Sequence, residues 1–173
     1  MMKKFVSAML ALVMALGLVA CGGSEADEPK NEGSADSATV YKLGGTGPLT
    51  GGAAIYGNAA KNGAQIAVDE INAMEDKAFA IEFDFQDDTG VAETAVAAYN
   101  SLKDWGVDVI YGTTTTGPCV TIASETNVDR ISQLTPSASS PDVTAGKDNV
   151  FQMCFTDPNQ GVTAANYVKD TGL

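Results

Sequence analysis

Two short stretches carry an unusual density of hydroxyls. Residues 111–119 read YGTTTTGPC and residues 135–141 read TPSASSP. The first follows an apolar run, Val107 to Tyr111, and precedes a stretch with helical character, so its threonines stand where a strand hands over to a helix. Unpaired N–H groups at a helix start attract anions, and the helix dipole adds to the attraction. With Thr116 or Gly117 as N-cap and Pro118 in the first turn, the N–H groups beyond Pro118 face a crevice, and the threonine hydroxyls beside them can donate to a small carboxylate. Ser137 and Ser139 supply hydroxyls and carbonyls, and carbonyls accept, which suits an ammonium group. Donors on one wall and acceptors on the other fit a zwitterion. The same residues also serve as turn and capping residues, and the sequence leaves both readings open.

Other chemistries find less support. Gly44–Gly52 contains Gly45-x-Gly47, but the third glycine is off the dinucleotide-binding spacing and the GK[ST] of a P-loop is missing. The chain has no histidine, which removes the commonest general base and metal ligand. Asp87-Asp88 could be paired acids, yet no nucleophile–base pair accompanies them, and the expectation is an exposed turn. A formal net charge of −12 with no basic patch argues against nucleic acid. Beyond Cys21, the two remaining cysteines, Cys119 and Cys154, lack metal-type spacing. Outside the cytoplasm they could form a disulfide, or stay free. No metal or cofactor is expected.

The hydroxyl clusters need a scaffold, and the alternation of elements supplies one. Thr39–Gly44 reads as a strand, followed by the turn-rich Gly44–Gly52. Ala60, Ala64, Ala67, Val68, Ile71 and Met74 recur at helical spacing. Phe79, Ile81, Phe83 and Phe85 alternate with Ala80, Glu82 and Asp84 as a strand does. Val91–Trp105 is helical, with Ala95, Ala98, Tyr99 and Leu102 on one stripe. A third strand at Val107–Tyr111, a helix around Pro118–Thr126, a fourth strand at Arg130–Leu134 and a fifth at Val150–Phe155 follow. Asp157, three residues before Gln160 with Pro158 between, reads as a capped helix start, and that helix carries Val162, Ala165 and Val168. Five strands interleaved with helices call for an α/β three-layer sandwich with a parallel five-stranded sheet covered on both faces. Ligands bind such sheets at the edge where strands end and helices begin, and every polar, glycine-rich loop named above falls there.

The N-terminus has the layout of an export signal. Lys3 and Lys4 precede an uncharged run from Phe5 to Ala20, shorter than the roughly 20 apolar residues of a spanning helix. Leu18-Val19-Ala20-Cys21 has a lipobox pattern, which makes residues 1–20 a signal peptide and Cys21 the lipidated start of the mature chain. An ordinary signal peptide with an incidental cysteine is the plainer alternative. Loss of Lys3 and Lys4 would make the product more negative by two charges. Residues 21–38 are the lipidated cysteine and a flexible acidic tether, poor in apolar side chains. The folded domain is expected over 39–173.

These residues also resemble a known family. The stretch GTGPLTGGAAIYGNAAKNGAQIAVDEINA, followed by Asp87-Asp88, Thr116-Gly117-Pro118, PSASSP and FTDPNQG, is similar to extracytoplasmic substrate-binding proteins of branched-chain amino acid ABC transporters, the Leu/Ile/Val type. The resemblance runs from Val40 to the C-terminus. It implies the first lobe of a type I periplasmic-binding-protein clamshell, an amino acid or similar small zwitterion as ligand, an ABC permease as partner, and attachment to the membrane through the lipid. It further implies that Thr116, with Gly117 beside it, holds the ligand carboxylate. Ser137 and Ser139 would bind carboxylate and ammonium, Tyr56 would line the cleft, and Thr114 would lie near the ligand side chain.

The resemblance is not complete. Where Leu-binding members pair two cysteines this sequence has Gly90 and Thr115, and the polar Thr114 replaces a more apolar residue, which weakens the expectation of an aliphatic ligand. The family runs to about twice this length, so the sequence reads as an N-terminal fragment whose half-site binds weakly or not at all. A ligand-sensing domain of a receptor with the same fold is the alternative function, and a secreted enzyme the least supported.

Overall fold

The structure, a computed structural model, describes residues 39–172. The signal, Cys21 and tether expectations lie outside the described residues. Strand β1 (Thr39–Gly47) leads to α1 (Ala54–Ala73), β2 (Phe79–Asp87), α2 (Ala92–Trp105), β3 (Val109–Tyr111), α3 (Thr116–Asp129), β4 (Ser132–Thr135), a 3-10 turn at Pro141–Val143, β5 (Val150–Gln152) and α4 (Asp157–Thr171). The strands form one sheet in the order β2-β1-β3-β4-β5, and every neighbouring pair is parallel. This is the expected parallel sheet flanked by helices.

Right-handed crossovers dictate where the helices lie. The step from β1 to β2 runs opposite to the steps from β2 to β3 and β3 to β4, so α1 falls on one face while α2 and α3 share the other. On that shared face Ala95, Tyr99, Leu102, Val107, Ile110 and Ile122 form the core, with Trp105 and Ile131 against it. The predicted stripe of α2 is the buried one: Ala95, Ala98, Tyr99 and Leu102 all lie in the core. The Tyr99 hydroxyl donates to Asp129 at 2.9 Å and Lys103 pairs with the same carboxylate at 2.8 Å, tying α2 to α3. A second cluster, Cys119, Ala123, Ala138, Val143 and Val150, joins α3 to the 3-10 turn and β5.

Three expectations change. Strand β1 continues through the glycines to Gly47, because glycine suits the crowding there: a Cβ on Gly44 would stand 2.7 Å from Val107, and one on Gly45 2.2 Å from the Phe85 ring. The last helix is capped by Thr156, one residue before the expected Asp157, and it has no buried residue, so Val162 and Val168 face outward. The face of the sheet shared with α1 is bare toward β5: Val109 and Phe151, which β4 separates, are both exposed, where covered parallel sheets bury both faces. Among the described residues no helix is long and apolar enough to cross a membrane.

Candidate ligand-binding edge

The strand order reverses at β1, whose neighbours are β2 and β3. The crevice rule for open α/β sheets therefore points to the C-terminal ends of β1 and β3, where the loops 48–53 and 112–115 emerge. Each loop is fixed by bonds its sequence supplies.

The first loop is held by Asp87, the last residue of β2. Its carboxylate accepts from Leu49 N–H at 2.8 Å, Thr89 N–H at 2.8 Å and the Thr50 hydroxyl at 2.6 Å. Burial acts to raise the Asp87 pKa, but the bonds from Thr50, Thr89 and Leu49 outweigh it and hold the carboxyl below its ordinary value. Asp88 is fully buried, which corrects the expectation of an exposed turn. It accepts from Gly90 N–H at 2.8 Å at the entry to α2. Burial pushes its pKa up to about 6 against that bond, with the neighbouring Asp87 charge adding to the rise.

The threonine loop meets the serine loop. Helix α3 begins earlier than the expected cap at Thr116 or Gly117: Thr115 is the N-cap, Thr116 and Gly117 are the first helical residues, and Pro118 follows. Cys119 N–H already bonds the Thr115 carbonyl at 3.1 Å, so the amides left free by helix geometry are those of Thr115, Thr116 and Gly117, before Pro118 and not beyond it. The Ser139 N–H donates to the Thr116 hydroxyl at 3.3 Å. A hydroxyl that accepts in this way keeps its own proton to donate outward. Ser137 is exposed and Ser139 half-buried, while the Ser139 carbonyl accepts from Asp157 N–H at 3.1 Å at the start of α4. Thr116, Gly117 and Ser139 are thus brought together, with Ser137 two residues away on the same loop.

The other expected residues fare differently. Tyr56 stands exposed in the first turn of α1, on the same edge of the sheet. Thr114 is 3% exposed, and its hydroxyl, wedged beside Gly47, has no partner. It is sealed in, not presented to a crevice. Cys119 and Cys154 do not pair; both are free thiols. The Cys154 thiol donates to the Ala138 carbonyl at 3.2 Å. Burial pushes the Cys119 thiol up to about 11, although the Gln133 amide donates to its sulfur at 3.5 Å. Sequence reasoning placed Gln133 in a strand and Thr135 in the polar loop after it, and gave neither a role at this edge. Both are fully buried polar residues on β4, and their one legible signal was their alternation with Ser132 and Leu134.

A hollow of about 460 Å³ is lined by Phe155, Asn159, Gln160, Thr163, Ala164 and Tyr167. It lies on α4, whose surface nothing among the described residues covers, and includes none of the residues just discussed.

Residues 40–172 match the family model described as periplasmic binding protein. Among curated relatives, the Leu/Ile/Val-binding protein homolog 3 of Brucella melitensis is 36% identical over 128 residues, covering 73% of this chain and 35% of the relative. The Leu/Ile/Val-binding protein BraC3 of Rhizobium johnstonii is 35% identical over 131 residues, with the same coverage. Among solved structures, the substrate-binding protein LivJ of a branched-chain amino acid transporter from Streptococcus pneumoniae, in complex with isoleucine, superposes with a TM-score of 0.67 at 30% identity, covering 75% of this chain and 38% of that one. The chain spans about a third of the length of the curated relatives it matches. Matched over most of its described residues, the chain belongs to the periplasmic binding protein family.

Proposed function

We propose that this chain contributes one wall of an extracytoplasmic solute-binding site that takes an amino acid or similar small zwitterion for delivery to an ABC permease. The observation that carries the reading is the bond from Ser139 N–H to the Thr116 hydroxyl, which joins the two hydroxyl-rich loops at the ligand edge of the sheet. The Thr116 hydroxyl proton and the Thr116 and Gly117 amides form a donor set for a carboxylate, at the positive end of α3. The hydroxyls of Ser137 and Ser139 offer acceptors to the ammonium group, and Tyr56 flanks the opening from α1. Relatives named for leucine, isoleucine and valine, and the one bound to isoleucine, support an amino acid as the ligand class. Thr114 acts in this reading as a packed residue beneath the loop.

Titration of the isotopically labelled chain with L-isoleucine, L-serine and L-glutamine to tens of millimolar tests it by NMR. Shifts should centre on the amides of 116, 117 and 139, with affinity in the millimolar range for this single wall. Thr116→Val should weaken binding by about 1–3 kcal/mol. No shift with any amino acid, or shifts away from both loops, would overturn the reading.

Export and lipidation at Cys21 belong to the same proposal. Two or more acyl chains hold a domain at a membrane far better than one. Expressed in a bacterium with its leader, the chain should fractionate with membranes and carry lipid mass on Cys21, and Cys21→Ser should release it. An unlipidated, soluble product from the unaltered sequence would remove the anchor from the reading.

A further inference from the structure

Strand β4 carries polar side chains into the core beneath α3, where Thr126 and Asn149 are also buried. Gln133 and Thr135, two residues apart and on one side of the sheet, are both fully buried. Buried polar groups persist where they are hydrogen-bonded, and these are bonded to the ligand edge. The Gln133 amide donates to the Gly112 carbonyl at 2.8 Å, while its oxygen accepts from the Thr126 hydroxyl of α3 at 2.7 Å. The Thr135 hydroxyl donates to the Thr113 carbonyl at 2.8 Å and accepts from Ala138 N–H at 3.0 Å and Ser137 N–H at 3.4 Å. A hydroxyl offers one proton and two lone pairs, so Thr135 uses its whole capacity. One of those bonds goes to the threonine loop, and two go to the serine loop.

We infer that Thr135 is a positioning residue for the binding wall: its buried hydroxyl clasps loop 113–116 to loop 137–139 and so sets the register in which Thr116 meets Ser139. The inference rests on the reading of those loops as the ligand site. Thr135 touches no ligand in this scheme, since it is wholly buried beneath the loops. Valine has nearly the same shape as threonine, so Thr135→Val removes the three bonds and leaves the volume filled. It strands the Thr113 carbonyl and the Ala138 amide without their partner. Serine keeps the hydroxyl and gives up one methyl.

The test compares the unaltered chain with Thr135→Val and Thr135→Ser by amide hydrogen exchange and by NMR titration with L-isoleucine and L-serine. Thr135→Val should speed exchange at Ala138 and Ser139 at least tenfold relative to amides of the β1–β2 ladder, and weaken amino acid binding at least tenfold. Thr135→Ser should restore most of both. A general loss of stability would instead raise exchange throughout the sheet, with no excess at 138 and 139. That result, or failure of serine to rescue, overturns the clasp. If the unaltered chain binds neither amino acid while Thr135→Val still releases 138 and 139 selectively, the clasp stands and the ligand reading falls.

Discussion

The first turn of α1 is pinned to the loop after β1 by the absence of one methyl group. Gly57 is buried, and a Cβ placed there would lie 2.0 Å from the Pro48 carbonyl oxygen, 2.6 Å from its carbon and 2.8 Å from its nitrogen. All three are backbone atoms, so no side-chain rotation relieves the clash. Non-bonded heavy atoms settle near 3.5–4.0 Å, so the helix start or the Pro48 turn would have to move by more than about 1 Å. That turn is not free to move, because Asp87 holds Leu49 and Thr50, and Asn58 donates to the Leu49 carbonyl at 3.2 Å. Overfilling a packed site costs about 1–3 kcal/mol. Alanine returns roughly 0.5–1 kcal/mol of helix propensity. Gly57→Ala should therefore be less stable by up to about 2.5 kcal/mol, toward the upper end because the clashing atoms are all backbone. Gly63 lies in the same helix with nothing within 4 Å of its Cβ position, so Gly63→Ala feels only the propensity term and should be about 0.5–1 kcal/mol more stable. Urea unfolding followed by circular dichroism measures both. Shifts of the same sign in the two variants would refute the close-approach reasoning.

Further predictions concern ionisation and thiol chemistry. With its pKa raised from 3.8 to about 6, Asp88 keeps in the native state a proton that the unfolded chain has lost. Stability should therefore fall as pH rises through that window, by about 2–3 kcal/mol from this group. Asp88→Asn should remove that part of the slope between about pH 4 and 6 in denaturation curves; parallel profiles would contradict it. Asp87 has the opposite sign: its lowered pKa makes its contribution present above the ordinary carboxylate range and lost as pH falls below it, so Asp87→Asn should flatten the acid limb. In native thiol labelling mapped by peptide mass, the half-buried Cys154 should react well before Cys119, which is buried with its pKa near 11. Equal rates would refute the described burial.

Periodicity alone located the buried stripe of α2, since a helix buries one face and the four predicted residues share it. Alternation along 79–85 located β2 for the matching reason. The run of hydroxyls after β3 could be placed on the strand-to-helix edge because a parallel sheet collects all its strand-to-helix loops on one side. Residue types gave no sign that Asp88 turns inward while Asp87 clasps the facing loop, since both read as turn residues. Nor could they show that Thr114 is sealed beside Gly47 while Thr116 reaches Ser139. Those outcomes depend on neighbours met across long stretches of chain, 38 residues between Leu49 and Asp87 and 23 between Thr116 and Ser139, separations that local patterns do not encode. The composition and order of residues determined a parallel α/β domain of the periplasmic binding protein type, with its polar loops on one edge. Tertiary structure alone decided which hydroxyls face one another there, because hydrogen-bond partners are set by distances of a few ångströms between segments that sequence leaves far apart.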